Sequence, residues 1–178
     1  MPDASAALAR LAADRAAVLA QLDAMTADQL AFRPARAAWS PADVACHLAR
    51  VETGLAEIVR RAVATGTALP GRPSGLRARV LERVMRSGVR VAMPLAVAPQ
   101  IAPTGAPFAE SRAALADAQA AWRGIADTFP QMMAAAGVFR HPVSGPLTFA
   151  GTLGFAAAHL DHHRRQVERI RASAGFPG

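Results

Sequence analysis

The sequence has no lysine, a single cysteine and few aromatic residues, and each shortage limits what the protein can be. All 20 basic residues are arginine, which we attribute partly to composition bias in an alanine-rich chain, so the net charge of +7 is weak evidence for nucleic-acid binding. Cys46 has no partner for an internal disulfide and leaves the redox compartment undetermined. Aromatic residues at 5% offer few platforms on which single-stranded bases could stack.

Long hydrophobic runs are also missing. Nowhere do about 18 uncharged apolar residues follow one another, which is the length that a membrane-spanning helix needs. The first fifteen residues carry Asp3, Arg10 and Asp14 and lack the apolar run of a secretory signal. We therefore expect a cytoplasmic protein. A length of 178 residues suits one domain, residues 1–178, with a full core.

Apolar residues spaced by three and four predict four long helices and one short helix. The long helices span about residues 4–25, 41–65, 109–136 and 148–172, the short helix spans 76–91, and loops fill 92–108 and 137–146. Ser40 is a good N-cap for the second helix, Asp43 completes a capping box, and Gly66 ends the helix. Pro130 should kink or break the third helix.

The apolar stripe of each helix predicts the face that it buries. The stripe of the second helix is Val44, His47, Leu48, Val51, Leu55, Ile58 and Ala62. The stripe of the third helix ends with Phe129 and Met132. In the short helix the apolar residues Leu76, Val80, Val84 and Val91 oppose the arginines Arg79, Arg83, Arg86 and Arg90.

The lengths of the links predict the topology. Helices one and two, and helices three and four, have short links and should be antiparallel neighbours. About 40 residues separate helices two and three, which is enough for a crossover as long as the bundle. The fold class is therefore predicted to be all-α, a four-helix bundle of up-down-down-up topology, with a long crossover that carries the short helix.

Two of the stripes carry histidines that could share one metal ion. His47 lies on the second helix, and His159 and His163 lie four residues apart on the fourth. At about 100° per residue, either His162 or His163 could join His159, but His163 also lies on the apolar stripe. Two imidazoles at i and i+4 can grip one ion, and His47 would close a three-nitrogen face with an open position, as in catalytic sites. Nitrogen ligands suit Zn²⁺, Ni²⁺ or Fe²⁺. Core histidines satisfied without a metal are the competing interpretation.

Three polar residues nearby are candidates for supporting roles. Asp43, one turn before His47, could orient that imidazole, although helix capping is the simpler interpretation. Gln166, one turn beyond His163, could hydrogen-bond a bound ligand or face a neighbouring helix. Arg164 could attract an acidic substrate, because arginine binds carboxylates in a fork, or could belong to a solvated helix face.

Four residues are interpreted as structural. Trp39 and Val44 stand at the two positions of a hydrophobic staple. Cys46 lies about 100° around the helix from His47 and is interpreted as a small buried filler. His141 precedes a proline in a loop and is interpreted as a surface or loop-anchoring residue.

Three motifs carry a family resemblance that covers nearly the whole chain. They are WSPADVACHL at residues 39–48, HPVSGPLT at 141–148 and HLDHHRRQ at 159–166. At these residues the chain resembles the DinB-like superfamily of metal-binding four-helix bundles, which includes YfiT-like proteins and bacillithiol- and mycothiol-dependent transferases. The resemblance implies the up-down-down-up fold, a divalent metal bound by His47, His159 and His163, and a homodimer. It does not choose an activity, because members range from thiol transferases and isomerases to proteins with no known reaction.

Three functions compete at this point. The first is a metal-dependent enzyme acting on a small-molecule substrate, either by hydrolysis with a water whose pKa the metal lowers to about 7, or by transfer of a thiol such as mycothiol or bacillithiol. The second is a non-catalytic, metal-binding stress-response bundle with a closed coordination shell. The third is binding of nucleic acid or membrane through the arginine-rich short helix; we favour a solvated helix face instead. Metal-activated chemistry is the economical choice, because the sequence shows no obvious protein nucleophile or glutamate base.

Overall fold

A computed structural model describes residues 4–89 and 96–178 of the chain. The helices are α1 Ala4–Asp23, α2 Ala27–Ala31, α3 Pro41–Thr65, α4 Gly75–Arg86, α5 Ala98–Ile101, α6 Phe108–Thr128 and α7 Phe149–Arg171. A 3₁₀ turn covers Gln131–Met133, and two strands, β1 Phe139–His141 and β2 Gly145–Leu147, form a hairpin. None of the helices within the described ranges is both long and apolar enough to cross a membrane.

Four long helices, α1, α3, α6 and α7, form the bundle, which confirms the predicted fold class. Helix α1 packs mainly on α7, and α3 packs mainly on α6, while α4 lies against α7 from outside. Leucine and valine residues of these helices fill the core together with the fully buried Trp122. The up-down-down-up order of helix directions stays a prediction.

The start and the end of α3 follow from the capping residues that the sequence shows. Ser40 Oγ accepts a hydrogen bond from the backbone N–H of Asp43 at 3.1 Å, and Asp43 Oδ2 accepts one from the N–H of Ser40 at 2.9 Å. These two bonds satisfy donors that a helix start otherwise leaves free. Gly66 ends the helix in the left-handed region, with a φ of 62°. The predicted span of 41–65 is therefore confirmed.

The third long helix is shorter than predicted. Helix α6 ends at Thr128, and Phe129 is extended because the residue before a proline disfavours helical geometry. Pro130 then leads into the 3₁₀ turn, which moves the apolar pattern out of register. Met132, predicted to be buried, is 93% exposed, and Met133 is buried in its place. The first helix likewise ends at Asp23, and Thr26 caps the separate α2.

Helix α4 buries a different face from the one predicted. Ala78, Leu81 and Met85 contact the core, whereas Leu76, Val80 and Val84 are 73%, 54% and 42% exposed. Both sets of residues obey the same spacing of three and four, so the apolar period alone could not distinguish them. The helix ends at Arg86; the predicted residues Arg90 and Val91 lie outside the described residues.

The predicted loop at 137–146 contains the β-hairpin, and the predicted loop at 92–108 contains α5. Phe139 pairs with Leu147 and His141 with Gly145, and Gly145 adopts a φ of 78° that favours glycine. Strands of three residues are too short to show an alternating pattern, which is why the sequence did not reveal them. The hairpin places His141 and Phe139 beside α7, where they contact Phe155.

An ion pair lies inside the bundle where the sequence predicted only apolar contacts. Arg15 of α1 and Glu52 of α3 are each 1% exposed, and the guanidinium binds the carboxylate through two hydrogen bonds, of which Nε to Oε1 measures 3.1 Å. Charges of this kind are stable in a core only when they are paired. The pair therefore joins α1 to α3 inside the bundle.

We expect the Arg15→Met variant to lose about 3–5 kcal/mol of unfolding free energy, because it leaves the Glu52 carboxylate buried without its cationic partner. The double variant Arg15→Met/Glu52→Leu should recover most of that loss. Urea denaturation followed by circular dichroism measures both. Arg60→Met, which removes an exposed arginine of α3, is the matched control and should change stability little. Equal effects of Arg15→Met and Arg60→Met would contradict the assigned role.

Candidate metal centre

The side chains of His47 in α3 and of His159 and His163 in α7 meet at one point inside the bundle. The Nε2 atoms of His47 and His159 lie 3.3 Å apart, and those of His163 and His159 lie 3.1 Å apart. One ring nitrogen from each histidine lies within 4.8 Å of the other two. The three residues are only 3–8% exposed. The structure thus brings together the three histidines that the sequence singled out.

The spacing of the nitrogens fits a single divalent ion. Tetrahedral coordination with metal–nitrogen bonds of about 2.0–2.1 Å separates two imidazole nitrogens by about 3.3–3.4 Å. Two of the three separations, 3.1 and 3.3 Å, are close to this value, and the third is no more than 4.8 Å, which a small side-chain adjustment can accommodate. Three protein nitrogens would leave at least one coordination position for another ligand.

The hydrogen bonds of the other ring nitrogens set the tautomers. His47 Nδ1 lies 2.7 Å from the carbonyl oxygen of Ile101, and His163 Nδ1 lies 2.7 Å from Gln166 Oε1. Since each oxygen can only accept, both Nδ1 atoms donate, and both Nε2 atoms carry a lone pair. His159 Nε2 can donate to only one of them. A cation between the three rings would satisfy all the lone pairs, which two hydrogen bonds cannot do.

The environment keeps these histidines neutral. Burial lowers the pKa of His47, and it lowers the pKa of His159 and of His163 well below the usual value. The positive charge that a neighbouring imidazole would carry lowers the pKa of His159 and His163 further. Neutral imidazole is the form that binds a metal. The site is therefore in its ligand form at pH 7.

Aromatic rings surround the three histidines. The Trp39 ring centroid lies 4.9 Å from that of His47 and 6.2 Å from that of His163, with the indole stacked on His163 at 19°. Phe155 contacts His159 from the other side at 5.7 Å. Sequence reasoning gave Trp39 only a staple role at the start of α3. Its position two turns before His47 was the signal that it could also reach the site.

A cavity of about 1090 Å³ opens onto all three histidines. Its wall is mostly apolar and includes Leu55, Met85 and Phe155. Three arginines, Arg50, Arg140 and Arg169, also line it, whereas no aspartate or glutamate does so among the described residues. Several lining residues are exposed, including Ile58 (45%) and Val143 (82%), so the cavity reaches the surface of the described structure. Ile58, predicted to be core, is thus part of this opening.

One wall of the cavity comes from the crossover between α3 and α6. Three hydrogen bonds attach it to α3. Arg50 Nη2 donates to Pro99 O at 3.2 Å, and His47 Nδ1 donates to Ile101 O. The Thr104 N–H donates to Cys46 Sγ at 3.4 Å. Cys46 is 3% exposed, and hydrogen bonds from the Thr104 region lower the pKa of its thiol despite the opposing effect of burial. The predicted filler is therefore an anchor for the segment that orients His47.

A comparison with protein families identifies the chain. The family model of the DinB superfamily matches residues 2–167, nearly the whole sequence. The chain belongs to the DinB superfamily. A search of curated proteins gives no significant match.

Two solved structures resemble this DinB protein over most of their length. TT2238, described as a four-helix bundle protein, is 28% identical, with a TM-score of 0.59 over 94% of this chain and 99% of that chain. YfiT from Bacillus subtilis, described as "a probable metal-dependent hydrolase with an unusual four-helix bundle topology", is 18% identical, with a TM-score of 0.61 over 98% of this chain and 89% of that chain. The second likeness shows the shared fold alone.

The three predicted supporting residues occupy different places in this DinB protein. Gln166 lines the cavity and holds His163 Nδ1. Asp43 caps α3 and pairs with Arg33 at 2.6 Å. It was a candidate for orienting His47, but the Ile101 carbonyl has that role. Arg164 binds Asp161 and Glu168, so its guanidinium is occupied by acidic side chains of its own helix, and it is not among the described residues that line the cavity.

Two further histidines lie at the cavity. His162 is buried, but its Nδ1 is 3.3 Å from the Met85 carbonyl, and it is not part of the nitrogen cluster. His141, predicted to anchor a loop, does so by accepting the N–H groups of Val143 and Ser144 at Nδ1, both at 3.2 Å. It also lines the cavity, and its neutral ring carries its hydrogen on Nε2. His141 lies at the cavity because it belongs to the β-hairpin, which the sequence pattern did not predict.

We expect the stability of the protein, after a chelator has removed any metal, to fall as the pH is lowered below 6.5. The pKa values of His159 and His163 are lowered in the folded state, so the unfolded chain binds protons that the folded chain excludes. Their contribution is complete above the unfolded value of 6.5 and is lost as the pH falls towards the folded values. Urea midpoints at pH 8, 6.5 and about 5.5 measure the effect. His159→Gln should show a shallower decline, and an unchanged pH dependence in that variant would contradict the assignment.

Proposed function

We propose that this DinB protein is a metal-dependent enzyme in which His47, His159 and His163 hold a divalent ion, Zn²⁺, Ni²⁺ or Fe²⁺. The observation that carries the proposal is the convergence of three neutral imidazoles whose tautomers direct two lone pairs towards the third ring. A cavity leading to all three rings favours an enzyme over a closed structural site. The description of YfiT as a probable metal-dependent hydrolase agrees with this function.

Residues around the three histidines orient the ligand rings and pack against them. A divalent ion held there would act as a Lewis acid and would lower the pKa of water or of a thiol. Ile101 and Gln166 keep two ligand rings in the donor-competent tautomer. Trp39 and Phe155 pack against the ligand rings of His47 and His159 and restrict their movement. These contacts hold the site in one geometry before a substrate arrives.

The proposed reaction does not rely on a carboxylate base. No aspartate or glutamate is found among the cavity-lining residues that the structure describes. The hydrogen of His141 is already on Nε2, so this ring can donate a hydrogen bond to a substrate but cannot take a proton at that atom. The chemistry therefore suits a nucleophile made acidic by a metal, either water for hydrolysis or a low-molecular-weight thiol such as mycothiol or bacillithiol for transfer.

Metal analysis of protein purified without chelator or a metal-affinity column tests the metal site. We expect about one divalent ion per chain in the wild type and a loss of most of it in His159→Ala, because two imidazoles bind more weakly than three. His162→Ala is the matched control, since it removes a buried histidine of the same helix that is outside the cluster. Circular dichroism confirms that both variants fold. Equal metal content in wild type and His159→Ala would remove the basis of the proposal.

Hydrolysis and thiol transfer can be separated with the metal-loaded protein. An electrophilic ester is incubated with and without mycothiol or bacillithiol, and both its loss and the products are followed. Loss that requires the thiol and yields the thiol adduct supports transfer, whereas loss without thiol that yields the acid supports hydrolysis. In either case activity should disappear on chelation and return with the metal. Activity that survives both chelation and His159→Ala would contradict a metal-dependent reaction.

A further inference from the structure

The charges at the cavity are of one sign. Arg50 on α3 follows His47 by three residues, and Arg169 on α7 follows His163 by six, which places their backbones about 4.5 and 9 Å further along the helix axes. Burial is the main cause of the lowered pKa of His47 and of His163, and the positive charges of Arg50 and Arg169 add to it. Arg50 is therefore electrostatically close to His47, and Arg169 to His163.

These two arginines differ from eight others that the structure describes. Arg15, Arg33, Arg60, Arg61, Arg86, Arg112, Arg164 and Arg165 all form ion pairs with carboxylates. Arg50 and Arg169 line the cavity and form no such pair within the described ranges. Arg50 makes one hydrogen bond, to the Pro99 carbonyl, and its buried Nε has no partner. A guanidinium with unused donors beside an apolar cavity is a site for an anion.

The rest of the wall suits an apolar body. Val51, Leu55, Leu81 and Met85 form an aliphatic surface, and Trp39, Phe139 and Phe155 form an aromatic one. A volume of about 1090 Å³ is at the upper end of ordinary small-molecule sites and exceeds what a simple ion needs. The ligand that matches this wall is therefore larger than an inorganic anion and mostly apolar.

We propose that the cavity binds an amphipathic organic acid, with its carboxylate paired to Arg50 and Arg169 and its apolar body against the aliphatic and aromatic walls. This inference rests on the proposed function, since it names the substrate class of the same site. Both arginines lie within two helical turns of a metal-ligand histidine, so the carboxylate and the reacting group of the ligand lie in the same cavity. His141 and Gln166 provide further hydrogen-bonding groups on the same wall.

Calorimetric titration of the full-length, metal-free protein with 1-naphthylacetate tests the inference. 1-Naphthylmethylamine carries the same ring with the opposite charge, and acetate carries the carboxylate without the ring. We expect each to bind at least about tenfold more weakly than 1-naphthylacetate, because each lacks one of the two complementary parts. The absence of metal ensures that the carboxylate is not bound by an ion.

Charge-matched variants locate the anion. Arg50→Gln and Arg169→Gln should each lower the affinity for 1-naphthylacetate by about ten- to a hundredfold, because each removes a charge-assisted hydrogen bond. Arg50→Lys should retain part of the affinity. Arg60→Gln removes the same charge from the exposed side of α3, where Arg60 pairs with Glu57, and should leave the affinity within about twofold of wild type.

Three outcomes would overturn the inference. They are no binding of 1-naphthylacetate, equal affinities in Arg50→Gln, Arg169→Gln and Arg60→Gln, and binding of the amine as tight as that of the acid. Because the titration uses metal-free protein, its failure leaves the metal content of wild type and His159→Ala untouched. The reverse result is also informative. If 1-naphthylacetate binding depends on Arg50 and Arg169 while His159→Ala keeps the metal content of wild type, the anion site is supported and the metal site is contradicted.

Discussion

The site depends on the meeting of three buried imidazole rings, whose nitrogens converge beside a cavity. Lone pairs that face one another at 3.1–3.3 Å repel unless a proton or a cation lies between them. Two protein contacts impose this arrangement: the carbonyl of Ile101 on His47 and the amide oxygen of Gln166 on His163. The helices α3 and α7 must hold their relative register for these contacts to form. Much of the core packing between α3, α6 and α7 serves that register.

The sequence predicted those parts of the fold whose causes are local. The box formed by Ser40 and Asp43 and the left-handed Gly66 set the bounds of α3, and the apolar period of the last helix set the range of α7. The three histidines could be found because they interrupt long apolar stripes at helical spacing. Each of these signals is contained within a few turns of helix, so a single sequence is enough to show it.

What the sequence could not show depends on contacts between distant segments. The Arg15–Glu52 pair joins residues 37 positions apart, and nothing near either residue indicates burial. Helix α4 carries two apolar stripes of equal period, and only its neighbour α7 decides which one is buried. The position of His141 depends on a hairpin whose strands have three residues each. The role of Ile101 belongs to a backbone carbonyl, which leaves no trace in residue identity.

The attachment of the crossover to α3 couples the metal ligands to the wall of the cavity. The carbonyl that fixes the His47 ring belongs to the same short segment whose Val97, Gln100 and Ile101 enclose the cavity. An ion that requires this tautomer binds only the docked form of the segment, and by thermodynamic linkage it must favour docking by the same factor. Metal binding and docking of the segment that forms this wall are therefore coupled. Neither step has to come first, because each favours the other by the same factor.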